Sequence, residues 1–256
     1  MSRRSRAGRW LLIAPAVLVT ACGELGAPSS ATEQGDSFTS TWRVFLFGAV
    51  AVSLLIWVLV FVAVLRFRKR SDAIPDQRQY NIPFELVYTA VPLVIVAGLF
   101  VLTLFAENRF TALADEPDVR VEVTGYQWGW QFAYPDQGVT VTSGATEPAT
   151  LVVPVGQTVR FHLVTRDVNH SFWVPEFLEK RDLIPQIDNE IDVEIVKPGE
   201  WTGRCAEYCG LDHWKMRFTV QAVDGADFDS WITAARQEAQ PIVAGATNVT
   251  IPGGDS

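Results

Sequence analysis

A chain of 256 residues has room for one or two modest domains. Its net charge of −8 is unevenly spread, with 10 basic and 6 acidic side chains in residues 1–106 against 11 and 23 in residues 107–256. So acidic a carboxy-terminal part argues against nucleic acid as a partner. It suits a basic protein drawn in by a long-range field, although a plain acidic soluble surface has the same composition.

Residues 1–22 read as a processing segment, with Arg3, Arg4, Arg6 and Arg9 ahead of a short apolar run at 10–19. Val19-Thr20-Ala21-Cys22 follows in the manner of a bacterial lipobox, which predicts Cys22 as the lipidated first residue of the mature chain. Residues 23–42 are small and polar and are expected to form an extracytoplasmic linker. Residues 44–65 carry no charge and lie between Arg43 and Arg66, so about 33 Å of helix can cross a bilayer. Arg66, Arg68, Lys69, Arg70 and Arg78 then place the next loop in the cytoplasm. A second apolar run at 86–105 returns across the membrane, with Pro92 tolerated inside it. The hairpin, residues 43–106, thus has both ends outside. Glu85 sits at its cytoplasmic turn, where it is either a first-turn carboxylate favouring the helix N-terminus or an ionisable group with a function at membrane depth.

From residue 117 the hydrophobic period falls to two. Val119, Val121 and Val123 alternate with polar residues, as do Val159, Phe161 and Leu163, and further strand-like runs lie at 149–153, 191–196 and 217–223. Turn residues such as Pro135-Asp136, Ser143-Gly144, Pro154-Val155-Gly156 and Lys197-Pro198-Gly199 separate them. Many short strands at this spacing predict an all-β sandwich or barrel within 107–239. His162 falls on the outer face of its strand and receives no role. Tyr126-Gln127-Trp128-Gly129-Trp130-Gln131-Phe132 is dense in aromatics, ordinarily a mark of core packing. Residues 227–239 have an amphipathic helical pattern with Asp227 as N-cap candidate, and 240–256 form a tail of small residues expected to be mobile.

The chemistry concentrates in residues 204–218, R-C-A-E-Y-C-G-L-D-H-W-K-M-R-F. The chain has three cysteines, three histidines and two methionines, and Cys205, Cys209, His213 and Met216 gather a soft ligand set suited to copper. Cys209, His213 and Met216 alone describe a mononuclear site with a second histidine from upstream. Cys205, four residues earlier, can bring a second sulfur so that both bridge two ions. A Cys205–Cys209 disulfide and half of a zinc site are the other readings of this spacing.

The pattern C-x-E-x-C-x-x-x-H-x-x-M resembles the copper A loop of the cytochrome c oxidase subunit II family, with every ligand position filled. Asn81 to Pro92 resembles that family's second-helix pattern N-x3-E-x3-T-x2-P. Asp167-Val168-Asn169-His170-Ser171-Phe172-Trp173-Val174-Pro175 resembles its upstream ligand segment, and Tyr126 to Phe132 resembles its Y-Q-W-x-W-x-[FY] segment. Three positions depart from the family. Gly129 stands where an aromatic is common, Ala133 where some relatives carry a carboxylate, and Gln186 where glycine is usual.

The resemblance implies a two-helix transmembrane hairpin followed by a cupredoxin-like Greek-key β-sandwich, in a haem-copper terminal oxidase of the bacterial cell membrane. It implies a binuclear copper A centre bridged by Cys205 and Cys209 and capped by His170 and His213, with Met216 as weak axial ligand and the Glu207 carbonyl completing the set. The Glu207 carboxylate is implied to hold a magnesium ion shared with subunit I. Trp128 would receive the electron from cytochrome c, and Glu85 would stand at the mouth of the K proton pathway. Electrons would pass to haem in subunit I, where oxygen is reduced to water with proton translocation. The implied partners are subunits I and III, membrane lipid, and a cytochrome c that is either soluble or a membrane-bound dihaem form in a supercomplex. No C-x-x-C-H motif occurs, so no haem is expected on this chain. The lipobox, the polar linker and V-P-E-F-L-E-K-R-D look like actinobacterial versions. A mononuclear copper electron carrier and a copper-delivery lipoprotein anchored in the membrane are the alternatives. A quinol oxidase subunit II would share the architecture but lack Cys205, Cys209 and Met216.

Overall fold

The computed structural model describes residues 28–70, 72–74, 77–143 and 147–239. Cys22 with the rest of segment 1–22, Gly144, and the tail from residue 240 lie outside the described residues. The chain divides into two compact units, a helical one holding Gln34–Ala112 and a β unit holding Ala31–Glu33 together with Leu113 onward.

Two helices form the first unit, α1 (Glu33–Arg66) and α2 (Ile82–Phe110). Their Val, Leu, Ile and Phe side chains are exposed around the whole circumference. Helices apolar on every side need lipid or protein in place of water, and both exceed the ~20 residues a bilayer span requires. α1 corrects the linker expectation, because the stretch expected to stay irregular to residue 42 is helical from Glu33. Its hydroxyls turn back onto the preceding turn instead of breaking it. Thr39 Oγ1 donates to the Gly35 carbonyl at 2.9 Å and Ser40 Oγ to that of Ser37 at 2.7 Å. Phe38 also packs on Phe110 of α2, with ring centroids 6.0 Å apart. α2 opens with a reciprocal cap. The Asn81 side chain accepts from the Phe84 amide at 3.5 Å, and Glu85 Oε1 accepts from the Asn81 amide at 2.9 Å.

The β unit has ten strands: β1 (Val119–Tyr126), β2 (Gly129–Tyr134), β3 (Val139–Thr142), β4 (Thr150–Pro154), β5 (Thr158–Thr165), β6 (His170–Val174), β7 (Glu179–Leu183), β8 (Asn189–Glu194), β9 (Gly199–Cys205) and β10 (Arg217–Val223). They form two five-stranded sheets in the orders β3-β2-β1-β5-β8 and β4-β10-β9-β6-β7, the cupredoxin-like sandwich that was expected. Alternation along β1 and β5 sends Val119, Val121, Val123, Val159, Phe161 and Leu163 inward. There they meet Phe172 and Phe218, whose rings stack at 4.9 Å, and Trp130. Tyr134 of one sheet staples the other: its hydroxyl donates to the Val152 carbonyl at 2.8 Å and accepts from the Val152 amide at 3.0 Å.

Two further segments close the unit. Ala31 and Thr32 are fully buried: the Ala31 amide donates to the Glu176 carbonyl at 2.8 Å, its carbonyl accepts from Val196 at 3.0 Å, and Thr32 pairs with Ile195. The final helix, α3 (Gly225–Ala239), starts two residues before the Asp227 cap candidate, because the Asp224 carbonyl already accepts from the Asp227 and Phe228 amides. Asp227 therefore serves as a first-turn carboxylate.

Candidate metal centre

β9 ends at Cys205 and β10 begins at Arg217, so the loop between them returns on itself. The Cys205 amide closes its base by donating to the Met216 carbonyl at 3.0 Å, and a short 3-10 turn at His213–Lys215 aims the His213 ring inward. From the next strand, β6, His170 enters fully buried. Its ring packs against Gly125 of β1, where an added Cβ would meet it at 3.1 Å.

The donor atoms converge. Cys205 Sγ and Cys209 Sγ are 3.9 Å apart, and both are free thiols. The disulfide reading is thereby excluded in this structure, since a disulfide holds its sulfurs about 2.05 Å apart. His170 Nδ1 lies 3.8 Å from the Cys205 sulfur, and His213 Nδ1 lies 3.6 Å from that of Cys209. Met216 Sδ is 3.8 Å from the Cys209 sulfur, and the Glu207 carbonyl oxygen is 3.2 Å from that of Cys205. His170, Cys205 and Cys209 present ligand atoms all within 4.8 Å of one another, and all three residues are buried.

The surroundings set the protonation states. Burial pushes the Cys205 thiol up, but His170, the backbone at Glu207 and Ser171, and His213 together bring it down to about 7. Burial and the neighbouring Cys205 charge push Cys209 up to about 12. Two adjacent thiolates are therefore unfavourable unless positive charge lies between them, which is what bound metal supplies. Burial lowers the His170 imidazole, yet Cys205 and Asp167 outweigh that and raise it. Asp167 is a residue to which the sequence attaches no role. Its Oδ1 lies 2.8 Å from His170 Nε2, which fixes the proton there and leaves Nδ1 for a metal. Three sulfurs, two imidazoles and a carbonyl form a soft, nitrogen-containing set that fits copper, and the Met216 thioether among them is a weak ligand for zinc.

Of the other candidates, Trp128 lies at this site: its indole Nε1 donates to the Cys209 carbonyl at 3.1 Å, and the residue is 39% exposed. Gly129 leaves room for the Tyr126 ring, which an added Cβ would meet at 2.8 Å. Glu207 turns its carbonyl to Cys205 and is half-buried. Glu85 belongs to the helical unit, where it caps α2. His162 stands on the outer face of β5, 3.5 Å from Asp188 and 3.9 Å from Glu122, and takes no part in the centre.

Comparison with known proteins gives one consistent result. A family model described as cytochrome c oxidase subunit II, periplasmic domain, matches residues 119–223. A probable cytochrome c oxidase subunit 2 of Streptomyces avermitilis is 37% identical, over 83% of this chain and 81% of that protein. A namesake from Nocardia farcinica is 32% identical, over 86% of this chain and 78% of that protein. Among solved structures, the periplasmic domain of subunit II of cytochrome oxidase from Bradyrhizobium japonicum is 32% identical with a TM-score of 0.46, covering 49% of this chain and 99% of that one.

Proposed function

The chain belongs to the cytochrome c oxidase subunit II family, and on that premise we propose that it takes electrons from reduced cytochrome c at a binuclear copper A centre and passes them to haem in subunit I. The observation that carries this reading is the Cys205–Cys209 pair, two free sulfurs 3.9 Å apart with an imidazole nitrogen facing each. When bound, a copper pair supplies one-electron redox chemistry shared between two metals, with little bond rearrangement.

The chain's own residues prepare that chemistry. Cys205 and Cys209 would hold the metals through their sulfurs, and their burial keeps water off them. Asp167 orients His170, the loop closure at Cys205 and Met216 aims His213, and the Met216 sulfur and Glu207 carbonyl complete the donor set. Trp128 gives a docked donor protein a route of one partly exposed ring and one hydrogen bond to the Cys209 carbonyl. The acidic carboxy-terminal part steers a basic cytochrome c, or a membrane-bound dihaem cytochrome, toward that face. Magnesium at the Glu207 carboxylate shared with subunit I, contact with subunits I and III, and proton uptake at Glu85 with proton translocation rest on the family alone, whereas lipidation of Cys22 rests on the lipobox at 19–22 and an extracytoplasmic β unit on the basic loop that follows residue 65.

Copper titration of the full chain in detergent tests the centre. Two coppers per chain, with EPR hyperfine structure from both nuclei, is the expected result. One copper per chain, as a mononuclear carrier or delivery lipoprotein would bind, overturns it.

A further inference from the structure

We propose that Gln127 is a positioning residue that fixes the Trp128 indole against the metal loop. The inference deepens the reading of Trp128 as the point of electron uptake and rests on it.

Two donors from adjacent residues converge on one acceptor. Gln127 Nε2 donates to the Cys209 carbonyl at 2.7 Å, and Trp128 Nε1 donates to the same oxygen at 3.1 Å. A carbonyl has two lone pairs, so both bonds can form at once. The backbone of Gln127 is held separately, its amide donating to Asp167 Oδ2 at 2.8 Å while Oδ1 of the same carboxylate faces His170. Gln127 is thus tied at two points, to the loop that carries Cys209 and to the carboxylate that orients His170. Gly210 makes room for this. Its φ is +117°, and a Cβ there would lie 3.1 Å from both Gln127 Nε2 and Trp128 Cζ2. Neither amide nor indole is locked by burial, because both residues are exposed. Their placement depends on the shared acceptor. Gln127 holds the Cys209 carbonyl toward the indole, and without it the half-exposed ring is free to leave for solvent. An electron crosses a hydrogen bond more readily than an open gap, so the lost contact slows uptake without touching the metal ligands.

The test has a readout that needs no metal. In the metal-free full chain in detergent, hydrogen exchange at the Trp128 indole N–H is followed by NMR, the resonance being identified with Trp128→Phe. Gln127→Met keeps the length and removes the donor. Exchange is expected to quicken about fivefold, the population change that one lost hydrogen bond gives. In the copper-loaded oxidase, uptake from saturating reduced cytochrome c should slow by a similar factor, with the half-saturating donor concentration unchanged. Gln127→Lys, which restores an N–H donor at similar reach, is expected to return indole exchange toward that of the unaltered chain. Unchanged exchange in Gln127→Met, or no recovery in Gln127→Lys, overturns the proposal. Quickened exchange with undiminished uptake upholds the positioning and instead removes the uptake role from Trp128.

Discussion

Gln186 holds its backbone at φ +65°, in the left-handed region where a Cβ crowds the following carbonyl. The family's usual glycine meets the demand of this turn, and glutamine strains it. Gln186→Gly is expected to stabilise the β unit by about 1 kcal/mol, measured by thermal or urea unfolding. The two thiols give a second prediction at this scale. In the metal-free chain Cys205 is a thiol below about 7 and a thiolate above it, whereas Cys209 stays protonated to about 12. Ultraviolet thiolate absorbance should therefore rise by one equivalent across the lower value and by the second only near the upper. Two equivalents appearing together near the ordinary thiol value of about 8.5 would contradict this.

Among the elements, β9 and β10 are joined at their tightest point by Gly203, where an added Cβ would fall inside the Phe218 ring. Phe218 cannot yield, because Trp130, Phe132 and Phe172 surround it. Gly203→Ala is expected to cost about 3 kcal/mol, read as a lowered unfolding temperature and a disturbed loop after β9, since Cys205 lies two residues on. The strands that sequence made legible were those given over to packing, β1 and β5 with their clean alternation, and β4, β8 and β10 as apolar runs between turn residues. β7 was not, because Glu-Lys-Arg-Asp gives an edge strand whose charges pair along the chain, Lys180 with Asp182 and Arg181 with Glu179. β6 and β9 carry His170, Cys205 and two glycines where a plain strand would carry apolar residues. The cluster at Cys205–Met216 could be read because its donor residues are close in sequence. Asp167 and Gln127 could not, since their roles arise where the β5–β6 turn and the β1–β2 turn meet each other and the loop that carries Cys209. The start of α1 was hidden by Ser and Thr, whose local hydrogen bonds serve a loop or a helix equally well.

For the molecule as a whole, the telling segment is Ala31–Glu33, which belongs to the β unit although the two long helices separate it from the rest in sequence. A fragment beginning at Leu113 leaves a slot beside Ile195 and Phe177 uncovered. A synthetic peptide of residues 28–33 is expected to raise that fragment's unfolding temperature by refilling the slot, and an unchanged temperature would show that these residues add nothing.

That slot also constrains how the protein is made. A sandwich completed by chain from before α1 and from after α2 can finish folding only if both stretches are delivered to the same compartment. Delivery of the amino-terminal stretch to the side that holds the sandwich thus becomes a condition for maturing this fold, and a molecule inserted with that stretch on the opposite side would carry its Cys205–Met216 loop on an unfinished scaffold.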